Sequence, residues 1–181
     1  DVVVYNRTKE KTIKVKEKGA KVSDSPKIVA DNSELILIIV KDAIAVREVS
    51  FGEEGIIKSK NKELVVADMS TIDSIESKKI AEEFQQNNIE KLEIPVMGGP
   101  NVAIMGKLVM MASGSKTIFD KYKIIFEKVA NKVFFLGEQG VANSIKLAMN
   151  LQITMLALSL SEGITLVKKL NVNPKIFLEV L

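Results

Sequence analysis

Residues Gly137 to Asn150 read GEQGVANSIKLAMN, a turn bracketed by two glycines that opens a long apolar helix. Lys146 and Asn150 are four residues apart in that helix, so their side chains share one face. No charged residue occurs from Leu147 to Ser161, which predicts that other protein surrounds the helix on most sides. Lys146 is therefore either a lysine on the solvated edge of the first turns or a catalytic ammonium in a cleft beside an amide donor.

The segment before this helix alternates short apolar strands with helices. The predicted strands cover residues 1–7, 35–40, 64–68, 92–96, 108–112 and 132–136, and the predicted helices cover 8–18, 25–32, 42–51, 71–87 and 116–129. This order predicts an α/β fold with a doubly wound, mostly parallel sheet, in which ligands bind at the carboxyl ends of the strands. Only helix follows Gly140, which predicts that an all-α domain starts there. We therefore expect domains at residues 1–138 and 139–181.

The composition excludes several kinds of site. The chain has no cysteine and no histidine, which removes disulfides, cysteine nucleophiles, Ser-His-Asp triads and the usual zinc sites, so no metal is expected. The net charge of +3 is spread along the chain and aromatic residues are 5%, so no nucleic-acid partner is expected. The apolar helix is shorter than the roughly 20 apolar residues that a bilayer requires, so no membrane span is expected. With no signal peptide or lipidation motif, the expected location is the cytoplasm.

Polar and glycine-rich segments follow three of the predicted strands. Asn6, Arg7 and Thr8 follow the first, where an arginine with amide and hydroxyl neighbours suits the 2'-phosphate of NADP; a surface arginine beside a helix cap is the alternative. Ser70 or Thr71 could cap the next helix, contact a cofactor, or do both. The successive glycines Gly98 and Gly99 free backbone N–H groups to approach an anion, although a plain turn explains them equally well.

The segments VVVYNRT, DMSTI, IPVMGGPNVAIMGKL and GEQGVANSIKLAMN together resemble landmarks of the β-hydroxyacid dehydrogenase family, in the same order and at similar spacing. This family includes 3-hydroxyisobutyrate dehydrogenase and tartronate semialdehyde reductase. The resemblance covers essentially the whole chain. It implies a Rossmann-like cofactor domain followed by an all-α domain, with NADP, or alternatively NAD, as the cofactor and a small hydroxy acid or semialdehyde as the substrate.

The resemblance also implies roles for particular residues. Lys146 would transfer the proton, and Asn150, Gly98 and Gly99 would bind the substrate. The cofactor would be bound by Asn6, Arg7, Thr8, Val40, Lys41 and Thr71. The family tends to form dimers or tetramers through the helical domain, so a homodimer or homotetramer is expected.

The chain departs from the family pattern at several positions. Met97 stands where a serine usually precedes the paired glycines, and Ala142 stands where a glycine is common. The family also begins with a strand, a G-x-G-x-x-G turn and a helix, so we expect this chain to be an internal portion of a longer protein. Three alternatives remain. A 6-phosphogluconate dehydrogenase is disfavoured because its relatives have a histidine three residues before the lysine, where this chain has Asn143, and imine reductases typically lack the lysine. The third alternative is a catalytically silent nucleotide-binding or scaffold protein, and the presence of Lys146 argues against it.

Overall fold

The chain divides into two compact units, Asp1–Lys146 and Leu147–Leu181, in a computed structural model that describes residues 1–61 and 63–181. The strands are β1 (Val3–Val4), β2 (Lys21–Val22), β3 (Leu35–Ile38), β4 (Val65–Asp68), β5 (Glu90–Glu93), β6 (Val96–Met97), β7 (Val109–Ala112) and β8 (Lys132–Phe135). The α-helices are α1 (Ile13–Lys16), α2 (Pro26–Asp31), α3 (Ala43–Phe51), α4 (Ser74–Gln86), α5 (Pro100–Ile104), α6 (Lys116–Val129), α7 (Val141–Lys169) and α8 (Pro174–Val180). Short 3-10 helices lie at Lys9–Thr12 and Ile56–Lys58.

The strands of the first unit pair mainly in parallel, as an α/β sequence predicts. The sheets have the orders β1-β2, β3-β4-β5 and β6-β7-β8, and every pair is parallel except β6 with β7. The sequence predicts a single strand at residues 92–96, and this is wrong: the structure has two strands here, β5 and β6. Pro95 lies between them and has no N–H to continue a ladder. The predicted α/β, doubly wound class is confirmed.

Polar side chains fix the starts of the helices. Ser25, Asp42 and Ser115 accept backbone N–H groups at the first turns of α2, α3 and α6. Asp73 does the same for α4, accepting from the backbone N–H groups of residues 75 and 76. The suggestion that Ser70 or Thr71 caps this helix is therefore wrong, and both residues lie in the loop between β4 and the cap.

Two apolar clusters hold the helices against the strands. One packs α6 on β4, β5 and β7 and includes Phe126, which is fully buried. The other packs α3 and α4 on β3 and β4 and includes Ile80 and Phe84, also fully buried. Burial of a side chain of this size contributes about 1.5–3 kcal/mol relative to exposure. These clusters fix the strands whose carboxyl ends form the candidate site.

The second unit consists of helix. Most of its apolar side chains are exposed, with Leu151 at 60% and Leu156 at 68%, so the expectation that other protein covers this helix stays a prediction. By length and composition alone, α7 could also cross a membrane. The first turn of α7 belongs to the first unit, where Ala142 and Asn143 are fully buried.

Candidate functional site

Lys146 lies on the buried first part of α7. The residue is 7% exposed, and its Nζ donates a hydrogen bond of 3.4 Å to Met97 Sδ. Burial lowers the pKa of the Lys146 ammonium from its ordinary value, because a desolvated environment disfavours the charged form. A thioether is a weak acceptor and compensates little for the lost hydration. The amine is thus poised to exist in its neutral, proton-accepting form nearer to neutral pH than an exposed lysine.

The turn after β6 brings paired glycines next to this amine, because Gly98 follows Met97 directly. Gly98 has φ +122°, and a Cβ at this position would lie 2.7 Å from Val102 Cγ1. Only glycine fits this backbone. Gly98 and Gly99 are both exposed, so this turn is open to a ligand.

The loop after β4 also reaches the start of α7. The backbone N–H of Ile72 donates to Asn143 Oδ1 at 3.2 Å, which holds the neighbouring Thr71 near the first turn of the helix. Ser70 Oγ accepts the Val40 N–H at 3.0 Å, so the same loop is tied to the end of β3. The loop after β4 and the end of β6 therefore both reach the first turns of α7, and the loop after β4 is also tied to the end of β3.

The predicted cofactor residues near β1 and β3 line one cavity of about 1270 Å³. It includes Asn6, Arg7, Thr8, Val40 and Lys41. Asn6 Oδ1 accepts the Thr8 N–H at 2.9 Å, which shapes the turn after β1. The walls of the cavity come from β1 on one side and β3 on the other, two strands that belong to separate sheets.

Arg7 is exposed and is paired only weakly. Its Nη1 lies 3.7 Å from Glu48 Oε2, and the two side chains are 74% and 62% exposed. An exposed pair of this kind contributes little to stability, so a phosphate could displace the carboxylate from the guanidinium. The arginine and the hydroxyl of Thr8 are groups that could hold an anion at this cavity.

Asn150 belongs to the second unit, where it is exposed on α7. Its backbone carbonyl accepts the Thr154 hydroxyl at 2.9 Å, which is ordinary within a helix. Its role as a substrate-binding amide stays a prediction.

The sequence reasoning missed a buried polar network behind the site. Glu93, at the end of β5, is fully buried, and its Oε1 accepts the Asn143 N–H at 2.6 Å. Lys91 has a fully buried side chain, and its Nζ lies 3.5 Å from Asp68 Oδ2. Ser77 joins the two groups, because its Oγ donates to Glu93 Oε2 and accepts from Lys91 Nζ. Charged residues at 91 and 93, alternating with Leu92 and Ile94, suggest an exposed strand face from sequence alone.

No group of three or more metal-ligating side chains occurs in the described residues, and the sequence predicts no metal.

The comparison with known families gives the nature of the cofactor. Residues 1–137 match the family described as the NAD binding domain of 6-phosphogluconate dehydrogenase.

The chain belongs to this family. Its cofactor is therefore a nicotinamide dinucleotide. Among curated relatives, 2-hydroxy-3-oxopropionate reductase of Escherichia coli is 30% identical over 156 residues, which are 86% of this chain and 53% of the relative.

Solved structures support the same fold. The 3-hydroxyisobutyrate dehydrogenase of Salmonella typhimurium superposes with a TM-score of 0.86 at 24% identity, over 98% of this chain and 62% of that one. An imine reductase from Myxococcus stipitatus, in complex with NADP+, superposes with a TM-score of 0.85 at 19% identity, over 98% of this chain and 62% of that chain. The resemblance to β-hydroxyacid dehydrogenases drawn from the four motifs is confirmed. This chain spans 53% of the length of that curated relative and 62% of each of the two solved chains.

Proposed function

We propose that this family member supplies the cofactor domain and the proton-transferring lysine of an NADP-dependent oxidoreductase acting on a small 3-hydroxy acid or the corresponding semialdehyde. The observation that supports this best is Lys146, a residue 7% exposed whose Nζ lies 3.4 Å from Met97 Sδ, the residue before the Gly98-Gly99 turn. A catalytically silent scaffold would not require a desolvated lysine beside free backbone donors.

The chemistry divides between cofactor and protein. The residues Asn6, Arg7, Thr8, Val40, Lys41 and Thr71 would hold the nicotinamide cofactor, which would supply the hydride chemistry. In the oxidation direction, Lys146 in its neutral form takes the proton of the substrate hydroxyl; in reduction, its ammonium gives that proton to the oxygen of the forming alcohol. The lowered pKa of Lys146 favours the first role, and a bound substrate carboxylate would pull this pKa back upward.

The substrate would be held by its carboxylate. The exposed N–H groups of Gly98 and Gly99 are donors of the kind that bind an anion, and Asn150 would add an amide. Met97 offers no hydroxyl, so the carboxylate has one donor fewer than in relatives with serine at this position. This difference favours a substrate with an apolar group near Met97.

The preference for NADP over NAD rests on Arg7. A guanidinium binds a 2'-phosphate through charge-assisted hydrogen bonds, and Asn6 and Thr8 stand beside it. Val40 and Lys41 would contact the cofactor at the end of β3, and Thr71 at the end of β4. The cavity that the first five of these residues line supports the assignment.

The remaining proposals concern the whole protein. The exposed apolar side chains of the second unit would pack in a homodimer or homotetramer. We infer a cytoplasmic protein with no nucleic-acid partner and no membrane span.

The test of the proposed function compares Lys146→Ala with Lys168→Ala, an exposed lysine in the last turn of the same helix. Formation of reduced cofactor is followed with 3-hydroxyisobutyrate, 3-hydroxypropionate, glycerate and 4-hydroxybutyrate. We expect Lys146→Ala to lower kcat by about 10²–10⁴-fold, the usual contribution of general acid–base catalysis, with cofactor affinity nearly unchanged. Lys168→Ala should match the wild type. An active Lys146→Ala enzyme would refute the role of the lysine.

A further inference from the structure

Glu93 occupies an unusual position for a carboxylate: it is fully buried at the point where α7 begins. Its two oxygens accept four hydrogen bonds from different parts of the fold. Oε1 accepts the Asn143 N–H at 2.6 Å and the Ser113 hydroxyl at 3.1 Å. Oε2 accepts the Ser77 hydroxyl at 2.5 Å and the Gln139 amide at 3.4 Å. A carboxylate at a helix N-terminus also interacts favourably with the helix dipole.

The first turn of α7 depends on this carboxylate for its position. Gly140, which precedes the helix, has no side chain to cap it and has φ +95°. The N–H groups near the start are bound instead from the sheet, Ala142 by Ser113 Oγ at 3.3 Å and Asn143 by Glu93. The end of β5 thus holds the helix in register with the sheet.

The side-chain contact of Lys146 is too weak to determine where its amine lies. Its side-chain hydrogen bond goes to the Met97 thioether, which is a weak acceptor. Lys146 follows Asn143 by three residues, a rise of about 4.5 Å along the helix. The location of the amine is therefore set by where the first turn of α7 lies, and the hydrogen bond from the Asn143 N–H to Glu93 is one of the contacts that fix this turn.

The same network reaches the loops expected to hold the cofactor. Lys91 Nζ donates to Ser77 Oγ at 3.3 Å and lies 3.5 Å from Asp68 Oδ2. Asp68 Oδ1 in turn accepts the Ser70 N–H at 3.0 Å, and Ser70 Oγ binds the end of β3. One buried chain of polar groups connects both halves of the candidate site.

We propose that Glu93 is a positioning residue that holds the start of α7 against the sheet and thereby places the Lys146 amine relative to the Gly98-Gly99 turn. This inference rests on the proposed function of Lys146. It assigns a role to side-chain length at residue 93: the acceptor must reach the Asn143 N–H. Catalytic groups need placement to within about 0.5 Å, and a misplacement of about 1 Å can cost 10²-fold in rate.

The experiment uses two substitutions that separate length from charge. Glu93→Gln keeps the length and one oxygen acceptor but removes the charge. Glu93→Asp keeps the charge but shortens the side chain by one methylene group. Glu90→Ala, an exposed position on the same strand, is the control. Each protein is tested for kcat, KM, cofactor affinity and hydrogen exchange of the amides in residues 141–146.

We expect Glu93→Asp to lower kcat by about 10–100-fold with KM and cofactor affinity changed less than about threefold, and to speed exchange in residues 141–146. Glu93→Gln should retain most of kcat and exchange slowly, and Glu90→Ala should match the wild type. The inference is overturned if Glu93→Asp leaves exchange unchanged, if exchange speeds while kcat is retained, or if Glu93→Gln is impaired as much as Glu93→Asp.

The design also separates this inference from the proposed function. If the wild type turns over none of the acids, the proposed function fails, and exchange alone decides whether Glu93 holds α7. Slow exchange in Glu93→Gln together with fast exchange in Glu93→Asp supports the anchoring role; equal rates in the two variants refute it.

Discussion

Two adjacent glycines next to Lys146 should respond differently to the same substitution. Gly98 has φ +122°, whereas Gly99 has φ −82°. A Cβ at Gly98 would lie 2.7 Å from Val102 Cγ1 and 2.9 Å from Leu108 Cδ2, whereas a Cβ at Gly99 would meet nothing within 4 Å. Gly98→Ala and Gly99→Ala therefore form a matched pair with the same chemistry in different surroundings.

The free energies follow from these geometries. A non-glycine residue in a sparsely populated backbone region costs about 1–3 kcal/mol, and forcing a methyl group into a filled space costs about 1–3 kcal/mol. Gly98→Ala should thus lower the free energy of unfolding by about 2–6 kcal/mol. Gly99→Ala should leave it nearly unchanged, because alanine restricts the unfolded chain but is a poorer N-cap for α5 than glycine. The two variants should differ by at least about 2 kcal/mol.

Urea denaturation measures this difference directly. With a slope of about 2 kcal/mol per molar urea, the midpoint of Gly98→Ala should lie about 1 M or more below that of Gly99→Ala. Both variants retain the backbone N–H at the substituted position, so a loss of substrate affinity confined to Gly98→Ala would report the displaced turn. Midpoints that agree within about 0.3 M would refute the assigned backbone geometry.

Two further predictions concern the charged residues of the site. Lys146→Met should stabilise the protein at neutral pH, because it removes a buried ammonium whose folded-state pKa is lowered by burial. For the same reason, the free energy of unfolding of the wild type should rise with pH between that lowered pKa and about 10.4, the value in the unfolded chain. The stabilisation by methionine, measured as the midpoint difference in urea, should be largest below this window and shrink across it; a constant difference would contradict the desolvation. Arg7→Ala should weaken NADP binding by about 10–100-fold and leave NAD binding nearly unchanged, measured by calorimetry, whereas Lys14→Ala should change neither; equal losses for NADP and NAD would contradict a 2'-phosphate contact.

Local sequence patterns predict the longer elements well. Helix α6 begins and ends where its pattern indicates, because Ser115 caps an amphipathic run from Lys116 to Val129. Strands β2 and β6 have two residues each, which is too short for any periodicity to be visible. Lys146 is identifiable because one motif carries both the lysine and its helix.

The buried network behind the site could not be predicted in this way. Glu93 binds Ser77 across 16 residues of sequence and Asn143 across 50. Charged side chains are almost always exposed, so a lysine and a glutamate in a strand suggest a solvated face. That expectation fails here because hydrogen-bonding groups from α4, from the end of β7 and from α7 surround the buried charges. Only the folded chain brings these groups together.

The cavity between β1 and β3 has a second consequence. Among the described strands, β1 pairs only with β2, and β3 only with β4, so each presents one row of backbone donors and acceptors without a strand partner. Such edges act as templates for further strand pairing. An extended segment lying between them could bond to both rows and merge two sheets into one. Such a segment would fill part of the cavity that these two strands line, so strand pairing at these edges and cofactor binding in the cavity would exclude each other.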